Sequence, residues 1–287
     1  MKYIVHIDSR DRNYTEYPNA ANFRLHVPQN IRYVTSAQLL SVEIPFAFYA
    51  FAASRSNTTT TIVLNGVPGT ITIPDGNYDG SSLSSAVSSA LNSAFPSRVW
   101  TCSVNSTTLK FSVQTNVSTD TVGVNATAWS SRTSLAACIG FPEGVITTGV
   151  AATGIVTGPY IVNLSPETYV MLCVEELASS ASLESAVGGV HMSTKAPLGK
   201  LQIQGNPYTY SFVGTGAEDL GMATVTLDPV VAVLHHVTPS LRFHDGSLVN
   251  LGNTSEYSFS MLLSTDLQIR LDESTAVPGD GSLNVVR

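Results

Sequence analysis

The sequence predicts a mainly β chain, a jelly-roll β-sandwich with a small α+β domain inserted into it. Three observations carry this expectation. Apolar and polar residues alternate with period two in run after run, the pattern of strands with one face in a core and one in solvent. About ten such runs lie outside residues 55–155, close to the eight strands of a jelly roll with additions. Only one convincing stretch, around residues 79–96, has the three- and four-residue spacing of an amphipathic helix. Long connections, rather than tight Asn-Gly hairpins, favour Greek-key crossings over an up-and-down barrel. The expected division is residues 1–54 and 156–287 for the sandwich and 55–155 for the insertion.

Taken in order, Tyr3 to Ile7 reads as an edge-like strand, leading into a charged turn, Asp8-Ser9-Arg10-Asp11-Arg12-Asn13. Phe23, Leu25 and Val27 alternate with Asn22, Arg24 and His26. Leu40, Val42 and Ile44 then alternate with Leu39, Ser41 and Glu43 up to Pro45. The exit is aromatic (Phe46, Phe48, Tyr49, Phe51), which points to core before interface. In the insertion, Thr58–Leu64 and Thr70–Ile73 read as strands joined by a turn at Asn65-Gly66. Leu83, Ala86, Val87, Ala90, Leu91, Ala94 and Phe95 form the helical stripe, with Asp79 or Ser81 as N-cap and Pro96 as stop. Strands at Val99–Val104 and Leu109–Val113 come next, then a helical turn from Ser134 to Ile139 ending at Gly140.

Strands resume at Tyr160–Leu164, Thr168–Glu175, Gly199–Gln204, Tyr208–Val213, Ala223–Val233, Ser240–His244, Glu256–Leu263 and Leu267–Leu271. The polar stretch from Glu176 to Pro197 reads as a long loop, and the tail from Asp272 as a segment that is loose or docks on a neighbour.

Composition narrows the function. Apolar residues are 43% of the chain, enough for a real core, while charged residues are only 12%, roughly half the usual share. A neutral, hydroxyl-rich surface resists association poorly and suits a subunit that sits among neighbours. A formal charge of -7 without a basic run argues against a nucleic-acid footprint. No apolar stretch approaches the roughly 20 residues of a membrane span. The first residues do not read as a signal peptide, so the chain is expected to stay in the compartment where it is made.

The side chains offer little chemistry. Cys102, Cys138 and Cys173 have no CxxC spacing, and Cys102 and Cys173 fall in strand-like runs where they serve as small buried hydrophobes. His235 and His236 are adjacent and point to opposite faces of a strand, so they do not readily share a metal with each other. Glu175-Glu176 and Glu218-Asp219 lack the alternating oxygens of a calcium loop. Gly214-Thr215-Gly216 lacks the lysine and helix of a phosphate loop, and no Gly-x-Ser-x-Gly elbow exists. The expectation is no enzyme, no cofactor, no metal site and no catalytic residue. The interleaved Arg10, Asp11 and Arg12 beside Asp8 read either as a salt-bridged turn or as a contact to a neighbouring subunit.

Several segments together resemble structural proteins of large icosahedral DNA viruses, the nucleocytoplasmic group that includes chlorella viruses and iridoviruses. They are Ile7-Asp8-Ser9-Arg10-Asp11-Arg12-Asn13 with Tyr17-Pro18-Asn19, Phe23 and Ala37 to Pro45; Ile73-Pro74-Asp75-Gly76-Asn77-Tyr78 closing at Ile139-Gly140-Phe141; and Leu241 to Gly246 with Tyr257 to Leu262 after it. The resemblance implies a virion capsid protein, assembled in the host cytoplasm. It implies the pentameric vertex (penton) protein or a minor capsid protein beneath the shell. The partners would then be copies of itself, the major capsid protein and other minor capsid proteins, and neither nucleic acid nor a membrane. A receptor- or glycan-binding β-domain is the alternative class. Glu176 to Pro197 has no counterpart in that pattern.

Overall fold

Two strands near the N-terminus anchor the largest sheet. In the computed structural model, which describes residues 1–125, 134–141, 154–177, 183–187, 190–194, 197–203, 210–213, 224–251 and 255–266, β1 spans Lys2–Asp8 and β2 spans Leu25–Pro45. After them come β3 (Thr59–Leu64), β4 (Val67–Thr72), helix α1 (Gly80–Ala94), β5 (Trp100–Val104), β6 (Lys110–Thr115) and β7 (Val122–Asn125). Next are helix α2 (Leu135–Cys138), β8 (Ile155–Ile161), β9 (Tyr169–Val174), β10 (Leu183–Val187), β11 (Val190–Thr194) and β12 (Gly199–Gln202). The last are β13 (Tyr210–Val213), β14 (Val225–Val237), β15 (Pro239–Arg242) and β16 (Ser258–Thr265). The protein is mainly β, with several antiparallel sheets.

The chain divides into two compact units: Met1–Phe46 with Val170–Ser185 and Ser193–Arg287, and Ala47–Tyr169 with Ala186–Met192. In the first unit, β1, β16 and β2 lie side by side, β14 pairs with the first half of β2, and β13 pairs with its last four residues. A second sheet has the order β12-β9-β15. Tyr257, Phe259, Met261 and Leu263 are all buried, as their alternation requires.

The second half of β2 departs from the expected phase. Leu39 is buried with Val42 and Ile44, and Leu40 is not, because a bulge separates the pairs Ser41–Ser260 and Leu39–Met261. One extra residue reverses which side chains point inward, and local sequence does not show where it sits.

Among the described residues, the second unit has two three-stranded sheets, β4-β3-β7 and β5-β6-β8. The β3–β4 turn places Asn65 and Gly66 at φ 50° and 83°, the left-handed pair of a tight hairpin. Asp79 caps α1: its carboxylate accepts from the Ser82 backbone N–H while the Ser82 hydroxyl accepts from the Asp79 N–H. Leu83, Val87 and Leu91 bury one face of α1 against a core that includes Ile71, Trp100 and Phe111. Each such side chain contributes roughly 1.5–3 kcal/mol. Gly140 follows the Ile139 C-cap of α2; its φ of +86° is left-handed and its Cβ position collides with the Tyr160 carbonyl oxygen, leaving room for no side chain. Near the two ends of this unit's long segment, the buried Arg55 guanidinium pairs with the buried Glu167 carboxylate and donates to the Ala50 carbonyl at 3.1 Å.

Other boundaries differ from the expected ones. The strand expected at Tyr160–Leu164 runs instead over Ile155–Ile161, pairing with β6, and β7 adds a strand where none is expected. The expected loop from Glu176 to Pro197 contains β10 and β11, which pair with each other; the surrounding Ser and Gly mask alternation such as Val190-His191-Met192. Of the aromatic exit, Phe48 and Phe51 are buried and Tyr49 is exposed. The strand expected at Leu267–Leu271, the tail from Asp272, Gly214-Thr215-Gly216 and Glu218-Asp219 lie outside the described residues.

Candidate functional site

The charged N-terminal turn is built by strand pairing. β1 runs antiparallel to β16 with Asp8 opposite Ser258, which delivers residues 9–14 next to Glu256 and Tyr257. Asp8 caps a single 3-10 turn, Ser9–Asp11, accepting from the Arg10 backbone N–H at 2.9 Å and from Arg10 Nε at 3.0 Å. The hydrogen bonds from the Arg10 side chain hold the Asp8 carboxyl below its ordinary pKa. Arg10 itself is largely exposed, as is Asp11.

Arg12 differs from both. Its side chain is fully buried, and its guanidinium donates to the carbonyls of Ser9 at 2.7 Å and Tyr17 at 2.8 Å and pairs with the Glu256 carboxylate. It also lies over the Tyr14 ring, 4.2 Å from the centroid. The Ser9 hydroxyl donates to the same Glu256 carboxylate at 2.5 Å and accepts from the Tyr257 backbone N–H at 2.8 Å. Of the three residues singled out in the sequence, Arg10 and Asp11 face solvent and Arg12 is internal. Its partner Glu256 lies 244 positions away and has no signature in the sequence.

An open cleft of about 470 Å³ adjoins this turn, lined by Asp8, Arg10, Glu43, Ser255 and Glu256 among others. Asp8 and Glu256 are both engaged with arginines, whereas Glu43 is exposed and no hydrogen bond or ion pair engages its carboxylate among the described residues. Beside it, the Tyr257 hydroxyl is buried without a hydrogen-bond partner among the described residues, and burial drives its pKa upward. Tyr257 packs edge-on to Phe23 and stacks on Phe259, which is core packing.

A second charged cluster lies towards the other end of β2. His26 pairs with His236 and Arg32 with Val233 across the β2–β14 ladder. The neighbouring register pairs Ile31–Leu234 and Leu25–Val237 turn inward, so His26, His236 and Arg32 turn outward. Arg24 lies against the His236 ring, 3.0 Å from Nδ1, and His236 Nε2 is 3.1 Å from Glu176, which also accepts from the Thr238 backbone N–H at 2.7 Å. His235 Nδ1 sits 2.9 Å from Asn30 Oδ1 instead. Among the described residues no three His, Cys, Asp or Glu side chains gather in a metal-binding group.

The three cysteines are buried, and none forms a disulfide among the described residues. Burial pushes the Cys102 thiol up to about 11 and the Cys138 thiol up to about 12, the opposite of what a nucleophile requires. In the second unit a groove of about 590 Å³ runs between Thr70 and Thr72 of β4 and Ala86, Ser89, Ala90 and Ser93 of α1, without an ionisable group in its lining. No described helix is long and apolar enough to cross a membrane.

The chain belongs to a family of unknown function, DUF5901, whose model matches residues 1–156. No curated protein matches it. Among solved structures, it is similar to the crystal structure of the SeMet-labelled mavirus penton protein, with a TM-score of 0.50 over 92% of this chain and 99% of that one, at 10% sequence identity. At that identity the likeness is one of fold.

Proposed function

We propose that this member of the DUF5901 family is a structural subunit of an icosahedral viral capsid, the pentameric vertex protein that packs against the major capsid protein. The single observation that carries the reading is the fold likeness to a mavirus penton protein over nearly the full length of both chains. The first unit is read as the jelly-roll body, built from its two antiparallel sheets, and the second as the inserted α+β domain. A vertex ring needs a head-to-tail interface that closes on rotation, which a sheet-built body can supply from its flanks. The low charge and hydroxyl-rich surface fit packing among neighbours.

What supports assembly over catalysis is the state of the ionisable groups. Asp8 and Glu256 are bound to arginines, and the cysteines are buried. In the N-terminal turn, Arg12 fixes the backbone, while Arg10 and Asp11 are presented to a neighbouring subunit.

The test is the mass of the purified full chain by native mass spectrometry, with its position in a particle reconstruction. Pentamers and density at the fivefold vertices are expected. A chain that stays monomeric at high concentration and lies beneath the shell would refute the vertex reading.

A further inference from the structure

The two charged clusters of the first unit carry opposite sign and lie at opposite ends of one strand. At the end of β2, carboxylates predominate: Asp8, Asp11, Glu43 and Glu256 stand against Arg10 and Arg12, and Asp11 and Glu256 both act on Arg10 electrostatically. Near its start, Arg24, His26, Arg32, His235 and His236 gather with Glu176 as the carboxylate in contact. With the histidines counted as neutral, as in the chain's net charge of -7, two arginines against one glutamate leave this end positive, and four carboxylates against two arginines leave the other negative.

Glu43 and Arg32 are both exposed, and neither side chain has a hydrogen bond or ion pair among the described residues. Arg32 and Glu43, the two exposed charges, stand eleven positions apart on β2, at most about 36 Å at ~3.3 Å per residue. The two clusters therefore do not neutralise each other across β2. Two such patches on one rigid sheet are complementary between molecules, and a pair facing opposite ends links copies head to tail.

We infer that the acidic Asp8–Glu43–Glu256 end of one copy docks on the basic Arg24–His26–Arg32–His236 end of the next. This rests on the capsid-assembly reading and names the surfaces through which it works. Charge complementarity selects a second copy as the occupant, because the partner surface is present in the same chain. An isologous dimer would satisfy both patches at once and stop at two. A head-to-tail contact leaves one patch open at each end until a ring closes.

The experiment uses the full chain and measures oligomer mass against concentration for wild type, Glu43→Arg, Arg32→Glu and the double variant. Both positions are exposed, so folding is expected to survive, and circular dichroism spectra with melting curves verify it. Each single reversal places like charges together and is expected to weaken association by about tenfold or more, with the double variant restoring it. Raising NaCl from about 50 to about 500 mM is expected to weaken the wild-type oligomer and to leave a folded monomer. Oligomers larger than a dimer that respond in this way support the inference. Oligomers larger than a dimer that are indifferent to both reversals and salt overturn the inference while leaving the vertex reading standing, whereas a wild-type species that stops at two overturns the inference and the pentameric reading together. A wild type that never associates overturns both.

Discussion

Replacing Arg12 with alanine tests whether its buried guanidinium anchors the N-terminal turn. The side chain is fully buried, and its loss strips the Tyr17 carbonyl of its donor at 2.8 Å, leaves the Ser9 carbonyl only the residue 12 backbone N–H at 3.3 Å, and leaves the Glu256 carboxylate without its cation. Breaking a buried ion pair by removing one partner costs about 3–5 kcal/mol. Glu256 is 21% exposed and keeps the Ser9 hydroxyl, which moves that contribution to the lower end. The orphaned Tyr17 carbonyl costs about 1 kcal/mol and the weakened Ser9 carbonyl less, partly offset by water entering the turn. The expected loss is about 3–5 kcal/mol. Glu256→Gln keeps the hydrogen-bonding shape and removes only the charge, so it is expected to cost less, about 1–2 kcal/mol. Equilibrium urea unfolding monitored by β-sheet circular dichroism reads both from the shift in midpoint at constant slope. A loss below about 1 kcal/mol for Arg12→Ala would show that the turn is held by strand pairing alone and would refute the reasoning.

Two further outcomes are expected in the second unit. Gly140→Ala drives a Cβ into the Tyr160 carbonyl oxygen at a φ of +86°, so a loss of about 2 kcal/mol or more is expected in thermal unfolding, and an unchanged melting temperature would contradict this close packing. Asp120 accepts from Arg98 Nε at 2.6 Å, from Asn65 Nδ2 at 2.9 Å and from Thr115 Oγ1 at 3.1 Å, and Arg98 first among these holds its pKa down to about 2. A depressed carboxyl contributes stability that is complete above its unfolded pKa of about 3.9 and is lost as pH falls towards about 2. Asp120→Asn is expected to flatten the acid limb of stability between those values, and an acid limb identical to wild type would rule out this carboxylate as a contributor.

The candidate surfaces are only partly legible in the sequence. The Arg10-Asp11-Arg12 run is visible as interleaved charge, but nothing local separates a solvated Arg10 from a buried Arg12. That difference comes from β1 pairing with β16, which brings Glu256 and Tyr257 to the turn. The basic cluster is hidden for the same reason, since Arg24 and His26 precede His236 by more than two hundred positions and meet it only across the β2–β14 ladder. His235 meets Asn30 and His236 meets Arg24 and Glu176 across a break in the β2–β14 register between Leu234 and His236, which the local sequence does not show.

The sequence by itself determined what depends on neighbours a few positions away: the period-two strands, the Asn65-Gly66 turn, and the helix between Asp79 and Pro96 with Leu83, Val87 and Leu91 on its inner face. Tertiary structure alone decided the rest. A bulge between Ser41 and Leu39, not the apolar pattern, chose Leu39 over Leu40 for the core, because an extra residue in one strand reverses the facing of everything beyond it. Likewise, which charges pair and which stay open was settled by strand register, since period-two alternation fixes the face of a side chain but carries no information about the strand it will lie beside.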